Sequence, residues 1–342
     1  MVKFIIPNKR GKNGIGARVW NPEFDCDHVR EPTCERIPIL DRIVILGEAG
    51  ITYITAHDAE ISADDIPKAK QLMEQHDVKM GIYTASFFTE AIFKNSVARS
   101  NNFAIRKGAL GNALRAVDMT VQLGAELMVF WTGRGGFNGL LDGQKSVRRL
   151  IDWLNSVGRY ALKKYGKKSP RFALEPVPNK PRTNMHLGNL SVALNLIGRL
   201  DATVQPLFGI NPGTAHSRMA GLDYLWDVEL CLESGKLFHI RLNSQDATRY
   251  DQDLPFGYVE PLKDLALCVA LQDAKWEGIL TFDVKAPRTA RREDIADILR
   301  TSAANLQRLW VKALSVDRKI IFEFRKTQRY TALAGYLSEY LY

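Results

Sequence analysis

Cysteine is scarce: Cys26, Cys34, Cys231 and Cys268 are the four in 342 residues, with no CxxC pair and no Cys/His spacing of a zinc ligand set. This excludes a disulfide framework and a structural zinc, and leaves buried thiols as the expectation. No apolar run approaches the roughly 20 residues of a membrane helix. The opening "MVKFIIPNKRGKNG" is also too short in apolar residues for a secretory signal. A cytoplasmic chain with no membrane contact is expected. Histidine is limited to six residues, and aromatic and basic side chains do not interleave as in a nucleic-acid module. The net charge of +9 is spread along the chain apart from clusters such as Lys163 to Lys168 and Arg318 to Arg329, so no nucleic-acid partner is expected.

What is present is ordinary for a globular protein, with 46% hydrophobic and 25% charged residues. Short apolar runs recur: "ITYITAH" at 51, "VKMGIYTA" at 78, "ELMVFW" at 126, "RFALEP" at 171, "PLFGIN" at 206, "LFHIRLN" at 237 and "GILTFDVK" at 278. Between them lie segments such as "LDYLWDVELCLESG", with apolar residues at helical spacing and a glycine stop. With a first strand near "IGARVW" at 15, the count reaches eight β/α units. The fold class expected is α/β, a single (β/α)8 TIM barrel over residues 1–315, with a short C-terminal arm over 316–342. The arm is rich in aromatic and basic residues, so it should pack on the barrel or on a neighbouring subunit.

In such a barrel, polar residues at the C-terminal ends of the strands face the active-site mouth. Reading those ends gives His57, Trp131, Glu175, Asn211 with His216 just beyond, Arg241, Asn243, Asp283 and Lys285. This concentration of ionisable residues marks a functional ring. The glycines of "TGRGGFNG" at 132 lack the helix that a phosphate loop would cap. Asp251 and Asp253, taken alone, read as a solvated turn, and His186 and His239 read as structural.

Several ordered segments resemble the xylose isomerase family, from about residue 40 to about residue 314: "TAHDAE", "FFTEAIFK", "VFWTGR", "EPVPNKPR", "GINPGTAHSRMAGL", "GKLFHIRLNSQ", "RYDQDLPFG" and "TFDVKAPRT". The resemblance implies a sugar or polyol as ligand, with two divalent ions polarising its oxygens during a hydride shift. It makes His57 the ring-opening histidine, with Glu60 as its carboxylate in place of the family's Asp, and Lys285 a pocket lysine. Trp131 and Phe88 become apolar walls, and Asn243 a further substrate contact. Phe24 of "NPEF" matches the aromatic that reaches into a neighbouring subunit, which implies a homo-dimer or homo-tetramer.

The metal ligands match only in part. Glu175 and Asp283 match two carboxylates of the first ion's site, and His216, Asp251 and Asp253 match ligands of the second. Three positions depart: the glutamate of "NPE" is Gly213, the aspartate of "HID" is Arg241 and the lysine of "EPKPN" is Val177. Together they change the local charge by two positive units, the charge of one divalent ion. Arg241 is therefore expected to take the structural place of the first ion, bridging Glu175 and Asp283. The second site is left with two readings, one loosely bound Mg or Mn ion or none. The function expected is sugar or polyol binding with altered or lost two-metal aldose-ketose isomerase activity. The alternative is a non-catalytic sugar-binding or assembly relative, and a barrel acting on nucleic acid has only its basicity to recommend it.

Overall fold

A computed structural model describes residues 15–17, 37–58, 60–87, 90–135, 145–179, 185–286 and 290–342. Its parallel strands are β1 (Ile15–Ala17), β2 (Tyr53–His57), β3 (Lys79–Ser86), β4 (Leu127–Trp131), β5 (Arg171–Leu174), β6 (Phe208–Ile210), β7 (His239–Leu242) and β8 (Ile279–Phe282). They are ordered β6-β5-β4-β3-β2-β1-β8-β7. A parallel bridge between Ile210 and Leu237 closes the ring, where Phe238 N donates to Ile210 O at 3.1 Å and Ile210 N to Lys236 O at 2.7 Å. The strand expected near residue 15 is present, pairing with β2 on one side and β8 on the other.

Helices follow the strands and cover the outside: α1 (Ile39–Glu48), α2 (Ile66–Gln75), α3 (Phe103–Leu123), α4 (Ser146–Tyr165), α5 (Leu190–Gly198), α6 (Thr214–Met219), α7 (Tyr224–Glu233), α8 (Pro261–Asp273) and α9 (Arg292–Ser315). Their ends carry local signals. Asn102 accepts from Ala104 N at the start of α3, Asp223 does the same for Leu225 N at α7, and Gly124 ends α3 at φ 71°. Strands covered on both faces need apolar residues throughout, which is why β2, β4 and β5 read as continuous apolar runs. Side chains nevertheless alternate between helix layer and barrel interior. Ile82, Leu127, Val129 and Ala173 form a small cluster of their own, apart from the large core that contains Tyr83, Met128, Phe130 and Phe172.

That alternation places the polar ring. Along β4 the phase of Leu127 and Val129 continues to Trp131, along β5 Ala173 leads to Glu175, and along β7 His239 leads to Arg241 and Asn243. The chain after Ser315 forms α10 (Arg318–Lys326) and α11 (Tyr330–Ser338). The arm packs back on the barrel: Ile321 and Leu337 join the large core, and Arg318 bonds Asp273 at 2.8 Å and Gln272 at 3.0 Å at the end of α8. Cys231 and Cys268 are buried free thiols, as the sequence suggests, whereas Cys26 and Cys34 lie outside the described residues. Among the described residues no helix is long and apolar enough to cross a membrane.

Candidate functional site at the barrel mouth

At the end of β7, Arg241 reaches across the barrel. Its Nη1 lies 2.8 Å from Asp283 Oδ2 and 3.4 Å from Glu175 Oε1, and its Nη2 donates to Thr84 Oγ1 at 3.2 Å. The strand ends themselves fix the two acids, since Glu175 N donates to Phe130 O and Asp283 N to Leu242 O at 3.2 Å each. The guanidinium thus sits between the two carboxylates. Below it runs a buried chain of hydrogen bonds. Asn211 Nδ2 donates to Glu175 Oε2 at 3.1 Å, Asn211 Oδ1 faces His239 Nδ1 at 2.6 Å, and His239 Nε2 faces Thr281 Oγ1 at 2.9 Å. Burial and the nearby Arg241 hold His239 far below its usual pKa, so it is a neutral structural imidazole.

The second acid pair also holds a cation. Lys285 Nζ lies 3.0 Å from Asp251 Oδ2, 2.9 Å from Asp253 Oδ2 and 3.2 Å from Asp251 O. An ammonium has three donors, and this loop engages all three. Asp251 and Asp253 are therefore not a solvated turn: Asp253 is buried, and its neighbour is half-buried. Both sit at positive φ, 46° and 49°, in a loop pinned by paired bonds between Ser244 and Leu254. Lys285 thus stands between the acids to which one of the two sequence readings gave a loose ion.

His216, in α6, joins the two groups. Its Nδ1 is 3.6 Å from Glu175 Oε1 and its Nε2 is 3.6 Å from Asp251 Oδ1. The room for it comes from Gly213, where a Cβ would stand 2.8 Å from His216 Nδ1. Burial pulls the His216 pKa down, but Asp251, Glu175 and Asp253 outweigh it, and the imidazole titrates above its usual value. Burial raises Glu175, a shift that Arg241 and His216 partly offset. Burial and Asp251 push Asp253 up to about 7 against the pull of Lys285. Arg241 and Lys285, despite burial, are held firmly charged by their carboxylates.

His57 ends β2 with its ring edge-on to Trp131, centroids 6.0 Å apart. Glu60 accepts from His57 N at 2.8 Å and from the buried Arg42 Nη1 at 2.7 Å, so its carboxylate fixes the backbone of that turn. Asn243 is committed within the protein: its Nδ2 donates to Asp253 Oδ1 at 2.5 Å and Asp283 O at 3.0 Å, and its Oδ1 accepts from Ala215 N at 2.9 Å and Thr214 Oγ1 at 3.0 Å. Phe24 and Phe88 lie outside the described residues. Thr84, Thr214 and Thr281 are further members of the site; for Thr84 and Thr281, on β3 and β8, a threonine at interior strand phase is the one signal the sequence offers, whereas Thr214 starts α6 and carries none. The cavity enclosed by His57, Trp131, Glu175, His216, Arg241 and the three aspartates is about 10 Å³, room for one water-sized group.

A closed eight-stranded parallel barrel with a buried ionic ring at its C-terminal strand ends defines a TIM-barrel protein with a polar site at the mouth. The chain belongs to the xylose isomerase-like TIM barrel family, whose pattern residues 43–308 match. It is 33% identical over 264 residues to a xylose isomerase of Thermus thermophilus, a match that covers 73% of this chain and 66% of that relative, just under two thirds of its length. The fold is shared with 3-keto-D-glucoside 4-epimerase from E. coli, at TM-score 0.61 and 15% identity over 86% of this chain and 98% of that one. It is shared too with D-allulose 3-epimerase from Methylomonas sp. in complex with D-allulose, at TM-score 0.61 and 15% identity over 85% and 94% of the two chains.

The divalent ions that the family likeness implies do not fit these residues. Each acid pair already encloses a side-chain cation. Among the described residues, no group of three or more His, Cys, Asp or Glu is arranged to hold a metal ion.

Proposed function

We propose that the protein recognises a sugar or polyol at the barrel mouth without a divalent ion, and that two-metal aldose-ketose isomerisation is lost or very low. One observation carries the reading: Arg241 and Lys285 each neutralise an acid pair from within the chain. A guanidinium or ammonium donates hydrogen bonds, but it cannot accept an alkoxide into a coordination shell as a Lewis acid does. Electrostatic stabilisation of charge on the substrate oxygens would fall to Arg241, whose donors are largely spent on Asp283, Glu175 and Thr84. His57 and Trp131 would form the outer contact surface, with His57 the group able to move a proton. His216, Asp251 and Asp253 belong to the ionic ring rather than to a metal site.

The small cavity favours a second reading, a non-catalytic sugar-binding or assembly relative. A ligand could place only one hydroxyl among the ionic groups without moving them. Assembly into a homo-dimer or homo-tetramer belongs to the same proposal and is read by light scattering.

The test is a panel of aldoses, ketoses and polyols, scored for thermal stabilisation and for isomer formation with chelator and with Mg²⁺, Mn²⁺ or Co²⁺. Saturable binding unchanged by chelator supports the proposal. Robust aldose-ketose turnover that needs added metal would overturn it, and stabilisation without any turnover selects the second reading.

A further inference from the structure

The chain after Ser315 takes no part in the mouth, yet it carries one of the basic clusters of the sequence. Its first helix, α10, reads RKIIFEFRK, with four cations and the single carboxylate Glu323. Ile321 is the one side chain of α10 that is buried, whereas Phe322 is 62% exposed.

On a helix, the surface neighbours of a residue lie three and four positions away along the chain. For Phe322 these are Arg318, Lys319, Arg325 and Lys326, so every such neighbour of the ring is a cation. Arg318 is engaged, by Asp273 at 2.8 Å and by the carbonyls of Ala313 and Val316 at the end of α9. Lys319, Arg325 and Lys326 are exposed and meet no carboxylate among the described residues. The last turns of α9 repeat the combination, with Val311 and Leu314 exposed on either side of Lys312. A face that only has to be solvated gains nothing from an apolar ring at its centre. An interface that buries the ring while cations meet lipid phosphates uses both.

We infer that α10 docks the protein peripherally on an anionic lipid surface. Phe322 enters the boundary between headgroups and acyl chains, and Lys319, Arg325 and Lys326 lie against the phosphates. Charge decides against a second copy of the same face, which would bring like charges together. Val311 and Leu314 decide against nucleic acid, whose phosphate backbone gives aliphatic side chains nothing to bury against. The expectation of no membrane contact was drawn from the lack of an apolar span, which a peripheral contact does not require.

The experiment sediments the full chain with vesicles of phosphatidylcholine alone and of phosphatidylcholine mixed with phosphatidylserine, at low and at high sodium chloride. Binding to the mixed vesicles that is lost at high salt supports the inference. Phe322→Ser should weaken it about tenfold through lost apolar burial. Lys319→Glu, Arg325→Glu and Lys326→Glu together should abolish it, since each cation near the surface contributes about fivefold. Should that triple variant fail to fold, Lys326→Glu alone should weaken binding about fivefold or more. Reversal of Lys163, Lys167 and Lys168, the other basic cluster, should leave binding unchanged. The inference is overturned if the two kinds of vesicle are bound alike or not at all, or if Phe322→Ser binds as the parent does. It is overturned equally if reversal of either cluster costs the same, or if duplex DNA at matched phosphate concentration binds more tightly than the mixed vesicles.

Discussion

Arg241 and Asp283 meet at 2.8 Å with both side chains nearly excluded from water, and Glu175 completes the cluster at 3.4 Å. Removing one partner of such a buried set leaves an uncompensated charge. Arg241→Met should therefore destabilise by about 3–5 kcal/mol, measured by urea unfolding. Adding Glu175→Gln and Asp283→Asn to that variant should recover much of the loss, because the charges left behind cause most of the cost. A single variant as stable as the parent would show that the guanidinium is dispensable.

Lys285 performs the same service for Asp251 and Asp253. The parent protein's melting temperature should not respond to chelator or to millimolar Mg²⁺ or Mn²⁺. Lys285→Ala should melt lower and regain stability when Mn²⁺ is added, because the vacated space lies between two aspartates and near His216. A metal response in the parent, or none in the variant, would count against cation replacement.

Asp264, in α8, accepts from Tyr224 OH at 2.7 Å away from the mouth. Burial leads the causes that push its pKa from 3.8 up to about 7, with a smaller contribution from Glu260. The folded state thus holds its proton longer than the unfolded state, and the associated stability is lost as pH rises from about 4 through 7. Asp264→Asn should match the parent near pH 4 and exceed it above pH 7 by up to a few kcal/mol. Melting curves of both proteins across this window check the sign.

Gly213 has ordinary backbone angles, so its reason is space. A Cβ there would come within 2.8 Å of His216 Nδ1. Gly213→Ala should cost about 1–3 kcal/mol through displacement of the imidazole and shift the His216 ring resonances. An unshifted ring in the variant would mean that His216 does not depend on this glycine.

Much of the barrel was legible because strands covered on both faces must be apolar, and seven such runs alternate with helical segments. The ring at the mouth followed from interior phase at the strand ends: His57, Trp131, Glu175, Arg241 and Asp283 all lie there. Arg241 could be assigned to its acid pair by counting charge against the pattern that the family resemblance supplies, since charge does not depend on detailed geometry. Lys285 could not. Its destination depends on the left-handed turns at Asp251 and Asp253, which bring a loop more than thirty residues upstream against β8's end. Asn243 is a second such case, because strand-end position suggests a ligand contact and does not reveal that four protein groups already occupy its amide.

The order of residues by itself settled the repeating architecture, the positions at which side chains must enter the barrel, and the excess of positive charge at the mouth over the family pattern. Only the folded chain decided which cation meets which acid and how little space remains among them. Pattern and charge are local or additive properties that a linear reading retains. Partnership between residues such as Arg241 and Thr84, 157 positions apart, is set by closure of the barrel, because loop conformation and side-chain packing choose among many electrostatically equivalent pairings.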